Sequence, residues 1–173
     1  MFKKNNKYKV LKVFLDSPIE SFRLRELSRK VKLAPLSVMR YLDVFLEEGL
    51  IIIYKKDKIK FYKAQRDSIK FSRYQKISTQ YELYNSGVID KIWEELHPEA
   101  IILYGSYAKG EAVENSDIDL FIMCGQKQIN LEEYEKKLGK KIHLMFRLTE
   151  KIPPELKNNL ANGIVMGGYF KVA

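Results

Sequence analysis

The sequence predicts an α+β chain in two parts: three short helices leading into a basic hairpin, then a small α/β domain with a mixed sheet. Three observations predict this. Apolar residues recur at helical spacing over the first fifty residues or so and then change to strand-like runs. Positive charge is concentrated in the first third. A short apolar run, Ala100–Tyr104, leads into a Gly-Ser turn, and a second, 118–123, carries Asp119 and is preceded by Asp117. The chain has 173 residues, of which 46% are hydrophobic. That is enough for packed cores, and it excludes bulk disorder. The length suits one domain or two small ones.

The elements follow in order. Val10, Leu11, Phe14 and Leu15 predict a helix over 6–15, stopped by Ser17-Pro18. Ser21 is the expected N-cap of a second helix that buries Leu24, Leu27 and Val31. Pro35 suits the first turn of a third helix, which continues through Val38, Tyr41, Leu42, Phe45 and Leu46 to Gly49 as its C-cap. Residues 50–54 and 59–62 read as strands, with 55–58 as the hairpin turn. Residues 67–96 read as two helices broken near 85–87. They form a linker whose Tyr74, Ile77, Tyr81 and Tyr84 approximate one face, for packing either two protomers or a neighbouring domain. Trp93 is expected in the core and His97 in a loop. Residues 131–138 and 149–162 read as further helices, the latter with Pro153-Pro154 in its first turn, and 164–170 as a last strand or cover. The expected division is 1–66, 67–96 and 97–173.

Charge separates the parts. Residues 1–66 carry 17 Lys and Arg against 7 Asp and Glu, a net of +10, whereas residues 67–173 carry a net of −1. The split suggests that the first part works on a polyanion. Cys124 is the only cysteine, so a disulfide framework or a cysteine-based zinc site within one chain is excluded. No apolar run approaches the roughly 20 residues of a membrane span. No apolar stretch of signal-peptide length precedes Asp16. The chain is therefore expected to be cytoplasmic.

Three helices and a basic hairpin follow the order of a winged helix-turn-helix. Residues 7–64 resemble the MarR and ArsR kind of winged-helix regulator. The carriers are Leu24-Arg25-Glu26-Leu27-Ser28, Ser37-Val38, Arg40-Tyr41-Leu42 and Glu48-Gly49-Leu50-Ile51. A helix fits the major groove and reaches base edges from its first turns. Leu36, Ser37, Met39, Arg40 and Asp43 are the candidates, with Arg40 the strongest. Lys55, Lys56, Lys58 and Lys60 would follow phosphates from the wing, and Arg23, Arg25 and Arg29 from the second helix. Regulators of this kind usually read two half-sites, so a homodimer on double-stranded DNA is expected.

Chemistry concentrates in 99–123. Asp117 and Asp119 are two apart in a strand, so both carboxylates point to one face, while Ile118, Leu120 and Ile122 point into a core. Paired carboxylates repel each other unless a cation or donor lies between them. Mg²⁺, which takes oxygen ligands and keeps substrate phosphates in its shell, suits that place. Gly105 lets backbone approach a triphosphate, amides at a helix start favour an anion, the Ser106 hydroxyl adds a donor and Lys109 adds charge.

Gly105-Ser106, ten residues, then Asp117-Ile118-Asp119 resembles the GSx10DxD signature of minimal nucleotidyltransferase domains in the DNA polymerase β superfamily. Ala108, Gly110 and Ser116 match its common form, and the resemblance covers about 88–170. It implies a small nucleotidyltransferase fold. Mg²⁺ on Asp117 and Asp119 would hold a nucleoside triphosphate, and an acceptor hydroxyl would attack the α-phosphate and release pyrophosphate. Ser116 joins Gly105, Ser106 and Lys109 as an expected nucleotide-binding residue. One departure matters. Active members carry a third carboxylate on a later strand, and here His143, in Lys141-Ile142-His143-Leu144-Met145-Phe146, occupies the expected place. A neutral imidazole is a possible base but a poor Mg²⁺ ligand. The expectation is therefore a DNA-binding regulator with a nucleotidyltransferase domain that binds Mg–NTP and transfers a nucleoside monophosphate to a hydroxyl, with a protein among the candidate acceptors. The alternatives are an impaired domain serving as nucleotide sensor or dimer scaffold, and an antitoxin to a HEPN-type toxin.

Overall fold

The computed structural model describes residues 5–147 and 154–169 and divides the chain into two units, Met1–Gln75 and Lys76–Ala173. In the first, α1 (Asn6–Asp16) starts where the Asn5 side chain accepts from the Tyr8 N–H at 3.1 Å. Its spacing of Val10, Leu11, Phe14 and Leu15 buries all four. Ser21 is not a helix cap. It forms the two-residue strand β1 (Ser21–Phe22) with Phe22, pairing antiparallel with Lys63 and Tyr62. The helix α2 (Leu24–Val31) instead begins after Arg23, whose N–H is accepted by the Glu26 carboxylate at 3.3 Å. That carboxylate also suits the positive end of the helix dipole. Of its expected apolar residues, Leu27 is fully buried and Leu24 and Val31 partly so.

Pro35 opens α3 (Pro35–Glu47), which buries Val38, Leu42 and Phe45. Gly49, at φ +68°, lets the Leu50 N–H turn back to the Phe45 carbonyl at 2.9 Å. The strands β2 (Ile51–Lys56) and β3 (Ile59–Ala64) form a hairpin closed by Asp57-Lys58. Both turn residues have positive φ, the geometry that matches the twist of a two-residue hairpin. The sheet order is β1-β3-β2. Its inner face supplies Phe22, Ile51, Tyr62 and Ala64 to a core with Phe14, Leu27, Leu42 and Phe45. The Phe14 and Phe22 rings meet edge to face at 5.6 Å.

The helix α4 (Ile69–Ser86) departs from its expected face. It buries Phe71, Gln75, Ser78, Thr79, Leu83 and Ser86, while Ile77 and Tyr84 are 60% and 47% exposed. Buried polar groups are tolerated because backbone satisfies them. Gln75 donates to the Leu15 carbonyl at 3.0 Å, and the Ser86 hydroxyl donates to the Leu83 carbonyl at 2.7 Å. Gly87, at φ +87°, separates α4 from α5 (Val88–Leu96), which buries Val88, Ile89, Ile92 and Leu96. Trp93 is not a core residue. It is 41% exposed, with its ring against Gly167, where a Cβ would stand 3.3 Å from it. His97 ends the helix in a left-handed conformation.

The second unit is built on the sheet β6-β5-β4-β7. Its strands are β4 (Ala100–Tyr104), β5 (Ile118–Ile122), β6 (Ile142–Phe146) and β7 (Ile164–Gly168). Strands β5 and β6 are parallel and the other pairs antiparallel, which makes the sheet mixed. The helices α6 (Gly105–Lys109), α7 (Glu132–Leu138) and α8 (Pro154–Ala161) complete it. The expected start of the last helix near Thr149, and Phe170 of the last strand, lie outside the described residues. Ile101, Leu103, Ile118, Leu120 and Ile122 share a core with α5. The opposite face gathers Ala100, Ile102, Phe121 and Met123 with Leu160, and half-buried Tyr104 and Met145. Cys124 is buried, which pushes its thiol up from the usual range. No described helix is long and apolar enough to cross a membrane.

One carboxylate ties α7 to the edge strand. Glu135 accepts from the Ile142 N–H at 2.9 Å and pairs with Lys141 at 2.9 Å. These two interactions hold its carboxyl below the usual range. The stabilisation is therefore complete above the unfolded glutamate value of about 4.3 and is lost as pH falls through the lower folded value. Glu135→Gln is expected to lower Tm at neutral pH. The difference from wild type should shrink steadily in melts taken below about pH 4.

Candidate active site and basic face

The chemistry-bearing residues of the second unit meet at one end of the sheet. Tyr104 on β4 lies directly opposite Asp119 on β5, and His143 on β6 lies directly on its other side. All three share the face that carries Ile102, Phe121 and Met145, because side chains alternate along each strand. His143 Nδ1 stands 3.5 Å from Asp119 Oδ1, with the imidazole 64% and the aspartate side chain 29% exposed. Asp117, one residue before β5, is exposed. Burial first, and the Asp119 charge second, raise the Tyr104 phenol above its ordinary value, so it remains a protonated donor.

Gly105 explains the Gly-Ser turn physically. It sits at φ +72°, which disfavours side chains, and a Cβ there would overlap the Asp119 carboxylate. The loop leading to the aspartates is braced at three points. The Ser116 hydroxyl accepts from the Val113 N–H at 2.9 Å, Tyr107 donates to the Ser116 carbonyl at 3.4 Å, and Lys140 donates to the Glu114 carbonyl at 2.6 Å. Ser116 thus has a bond within its own turn. Ser106 is part-exposed and Lys109 exposed in α6.

Sequence reasoning did not single out Tyr104, Tyr107 or Lys140. Tyr104 could have been found from alternation along Ala100–Tyr104 once the pairing with β5 was known. Lys140 had no signal, since its contact is to a backbone carbonyl 26 positions away.

Among the described residues no group of three or more His, Cys, Asp or Glu forms a cage for a metal ion. The donor set still fits Mg²⁺, which is typically bound by one or two carboxylates with substrate phosphates and water filling the octahedron. A cleft of about 680 Å³ beside Ile142, Leu144 and Phe146 is a separate feature, because those side chains alternate away from His143.

The glycine yields a controlled test. Gly105→Ala and Gly139→Ala introduce the same left-handed strain, about 1–2 kcal/mol, since Gly139 has φ +67°. Gly139 has open space around its Cβ position. Both variants should lose similar stability from strain, and only Gly105→Ala should also displace the Asp119 carboxylate. An Asp119 side chain unmoved in a crystal structure of Gly105→Ala would refute this account of Gly105.

In the first unit, Leu36, Ser37, Met39, Arg40 and Asp43 are exposed on α3. Arg23, Arg25 and Arg29 are exposed at or in α2, and Lys55, Lys56, Lys58 and Lys60 on the hairpin. A cleft of about 1050 Å³ brings Arg23, Arg25, Arg29, Lys32 and Lys60 to one side of α2.

Residues 87–167 match the family model described as polymerase beta, nucleotidyltransferase. No curated protein and no solved structure matches the chain.

Proposed function

Starting from the nucleotidyltransferase-family domain in residues 87–167, we propose that this protein is a DNA-binding transcription regulator, with a winged helix in its first unit, whose second unit binds a magnesium–nucleoside triphosphate at Asp117 and Asp119 and transfers a nucleoside monophosphate to an acceptor hydroxyl. The observation that carries the catalytic half is the row Tyr104–Asp119–His143 across three neighbouring strands, with Gly105 packed against the Asp119 carboxylate. Asp117 and Asp119 would hold the metal, which supplies charge neutralisation at the phosphates. Gly105 admits the triphosphate close to backbone, and Ser106 and Lys109 offer a donor and a positive charge. With a proton on Nδ1 facing Asp119, the Nε2 of His143 is the basic nitrogen that takes the proton of the attacking hydroxyl. The new bond joins that oxygen to the α-phosphorus, and the bond to pyrophosphate breaks.

For the first unit, the exposed face of α3 and the surrounding cations support a duplex reading. Leu36, Ser37, Met39 and Arg40 would enter the major groove. Arg23, Arg25, Arg29 and the hairpin lysines would position the protein on phosphates. Two copies would read two half-sites.

His143 favours a second reading. It stands at the register position beside Asp119 where the resemblance implies a carboxylate, so a domain that binds nucleotide without turnover is the alternative. The test is Mg²⁺-dependent transfer from α-labelled ATP, CTP, GTP and UTP, with the protein itself, RNA and host lysate as acceptors. Label that requires Asp119 establishes the enzyme. Nucleotide binding without label establishes the sensor, and absence of both removes the proposal.

A further inference from the structure

The outer face of the first unit's hairpin has a composition that neither its core nor a duplex contact requires. Alternation sends Ile51, Tyr62 and Ala64 into the core, and sends Ile52, Tyr54, Ile59 and Phe61 to the other side. Ile52, Tyr54 and Ile59 are 43%, 41% and 44% exposed. Tyr54 and Phe61, directly paired across the strands, stack with ring centroids 5.5 Å apart and planes within 16°. The Arg23 guanidinium lies over the Phe61 ring, 5.8 Å from its centroid. Lys56 and Lys63, on β2 and β3, point to the same face by the same alternation. The result is a row of Arg23, Phe61 and Tyr54 across the hairpin, bordered by lysines and open to solvent at Tyr54.

We infer that this face is a stacking platform for unpaired bases, a binding site for single-stranded nucleic acid distinct from the α3 face. Two arguments select that occupant. The first is charge: a unit with a net of +10 over residues 1–66 and cations bordering the apolar centre favours a polyanion and disfavours a second copy of itself. The second is the aromatic pair. Bases inside a duplex have both ring faces covered by their neighbours, so exposed rings offer them nothing, whereas an unpaired base gains a stacking partner. Arg23 extends the stack, since a planar guanidinium lies flat on aromatic rings while remaining a phosphate donor. It also lines the cleft beside α2 together with Arg25 and Arg29, which places further phosphate donors next to the stack. The site shares Arg23, Arg25, Arg29, Lys56 and Lys60 with the contacts assigned to a duplex, but its aromatic centre, Tyr54 and Phe61, and Lys63 beside it are outside them.

The experiment uses the full chain and fluorescence anisotropy with a labelled single strand of about 16 nucleotides, the upper range of such sites. The other probes are the same strand with abasic positions, its duplex, and anionic phospholipid vesicles. The variants are Tyr54→Leu with Phe61→Leu, which keeps an apolar cross-strand contact but removes both ring faces, and Tyr54→Trp, which keeps one. Thermal melts confirm that each is folded. Expected results are binding of the intact strand, and a loss of about fivefold to a hundredfold for the double leucine variant and for the abasic strand. Tyr54→Trp should retain binding, and the double variant should retain duplex affinity. Equal binding of intact and abasic strands would overturn the platform, as would an unchanged affinity of the folded leucine variant. Binding to vesicles through Tyr54 and Phe61 without single-strand binding would overturn it in favour of a membrane surface. Arg40→Ala, which should weaken duplex and not single-strand binding, keeps failure of this inference separate from failure of the duplex reading.

Discussion

Asp119→Asn should lower the proposed nucleotidyl transfer by at least about a thousandfold, measured as initial rate at saturating Mg²⁺ and NTP. The change keeps volume and hydrogen-bonding capacity but removes the negative charge that sits between Tyr104 and His143. A carboxylate that holds the metal contributes several kcal/mol to transition-state stabilisation, and every 1.36 kcal/mol is a factor of ten. Three consequences should appear together. Chelation of divalent cations should reproduce the loss in wild type. Tm of the wild type should rise with Mg²⁺ and NTP present, and the rise should shrink in the variant. His143→Asp should behave oppositely: it places a second carboxylate beside Asp119, where His143 now stands 3.5 Å away, so it should lower Tm without Mg²⁺ through like-charge repulsion and recover with Mg²⁺. If His143 is the base, His143→Asp shifts the pH–rate profile. If the natural domain lacks turnover, His143→Asp is the variant that acquires it. Full activity in Asp119→Asn would refute the site.

The parts of this arrangement that were legible in sequence are those set by local patterns. The Asn6–Asp16 helix, the third helix after Pro35 and the hairpin around Asp57-Lys58 follow from apolar spacing and turn chemistry. The break at Gly87 and the strand–turn–helix at Ala100–Lys109 were legible for the same reason. His143 was placed by the resemblance, which implies a carboxylate on a later strand, and the parallel register sets it beside Asp119.

What failed depends on contacts remote in sequence. Ser21 has the composition of a cap, but β3, some forty positions later, captures it as a strand residue. The inner face of α4 was not legible either, because this helix buries Gln75, Ser78 and Thr79 and leaves Ile77 exposed. Periodicity assumes that what is apolar is inside, and it has no means of finding polar groups that the backbone satisfies. Tyr104 is the same lesson at the site. Its own strand fixes which face it takes, and only the pairing with β5 reveals that Asp119 lies opposite.

Duplex affinity of the first unit should fall by about a thousandfold to a hundred-thousandfold between 50 and 200 mM salt, if six to ten phosphates are contacted. The supply of cations is sufficient: Arg23, Arg25, Arg29, Arg40, Lys55, Lys56, Lys58 and Lys60 are all exposed. Each phosphate contact releases counterions, so log affinity should fall linearly with log salt at a slope of about −0.9 per contact. The variants then divide by role. Lys58→Ala, at the hairpin tip, should weaken all duplexes alike and reduce the slope by about one. Arg40→Ala should also reduce preference among sequences, because α3 presents Arg40 in line with Leu36 and Asp43, one helical turn apart on either side. A slope near zero would make the positive charge a solvated surface. A steep slope with no sequence preference, unchanged by Arg40→Ala, would keep the polyanion and remove α3 as the reader. Both outcomes are measurable in one titration series, and the second unit provides a control, since Asp119→Asn should leave this curve where it is.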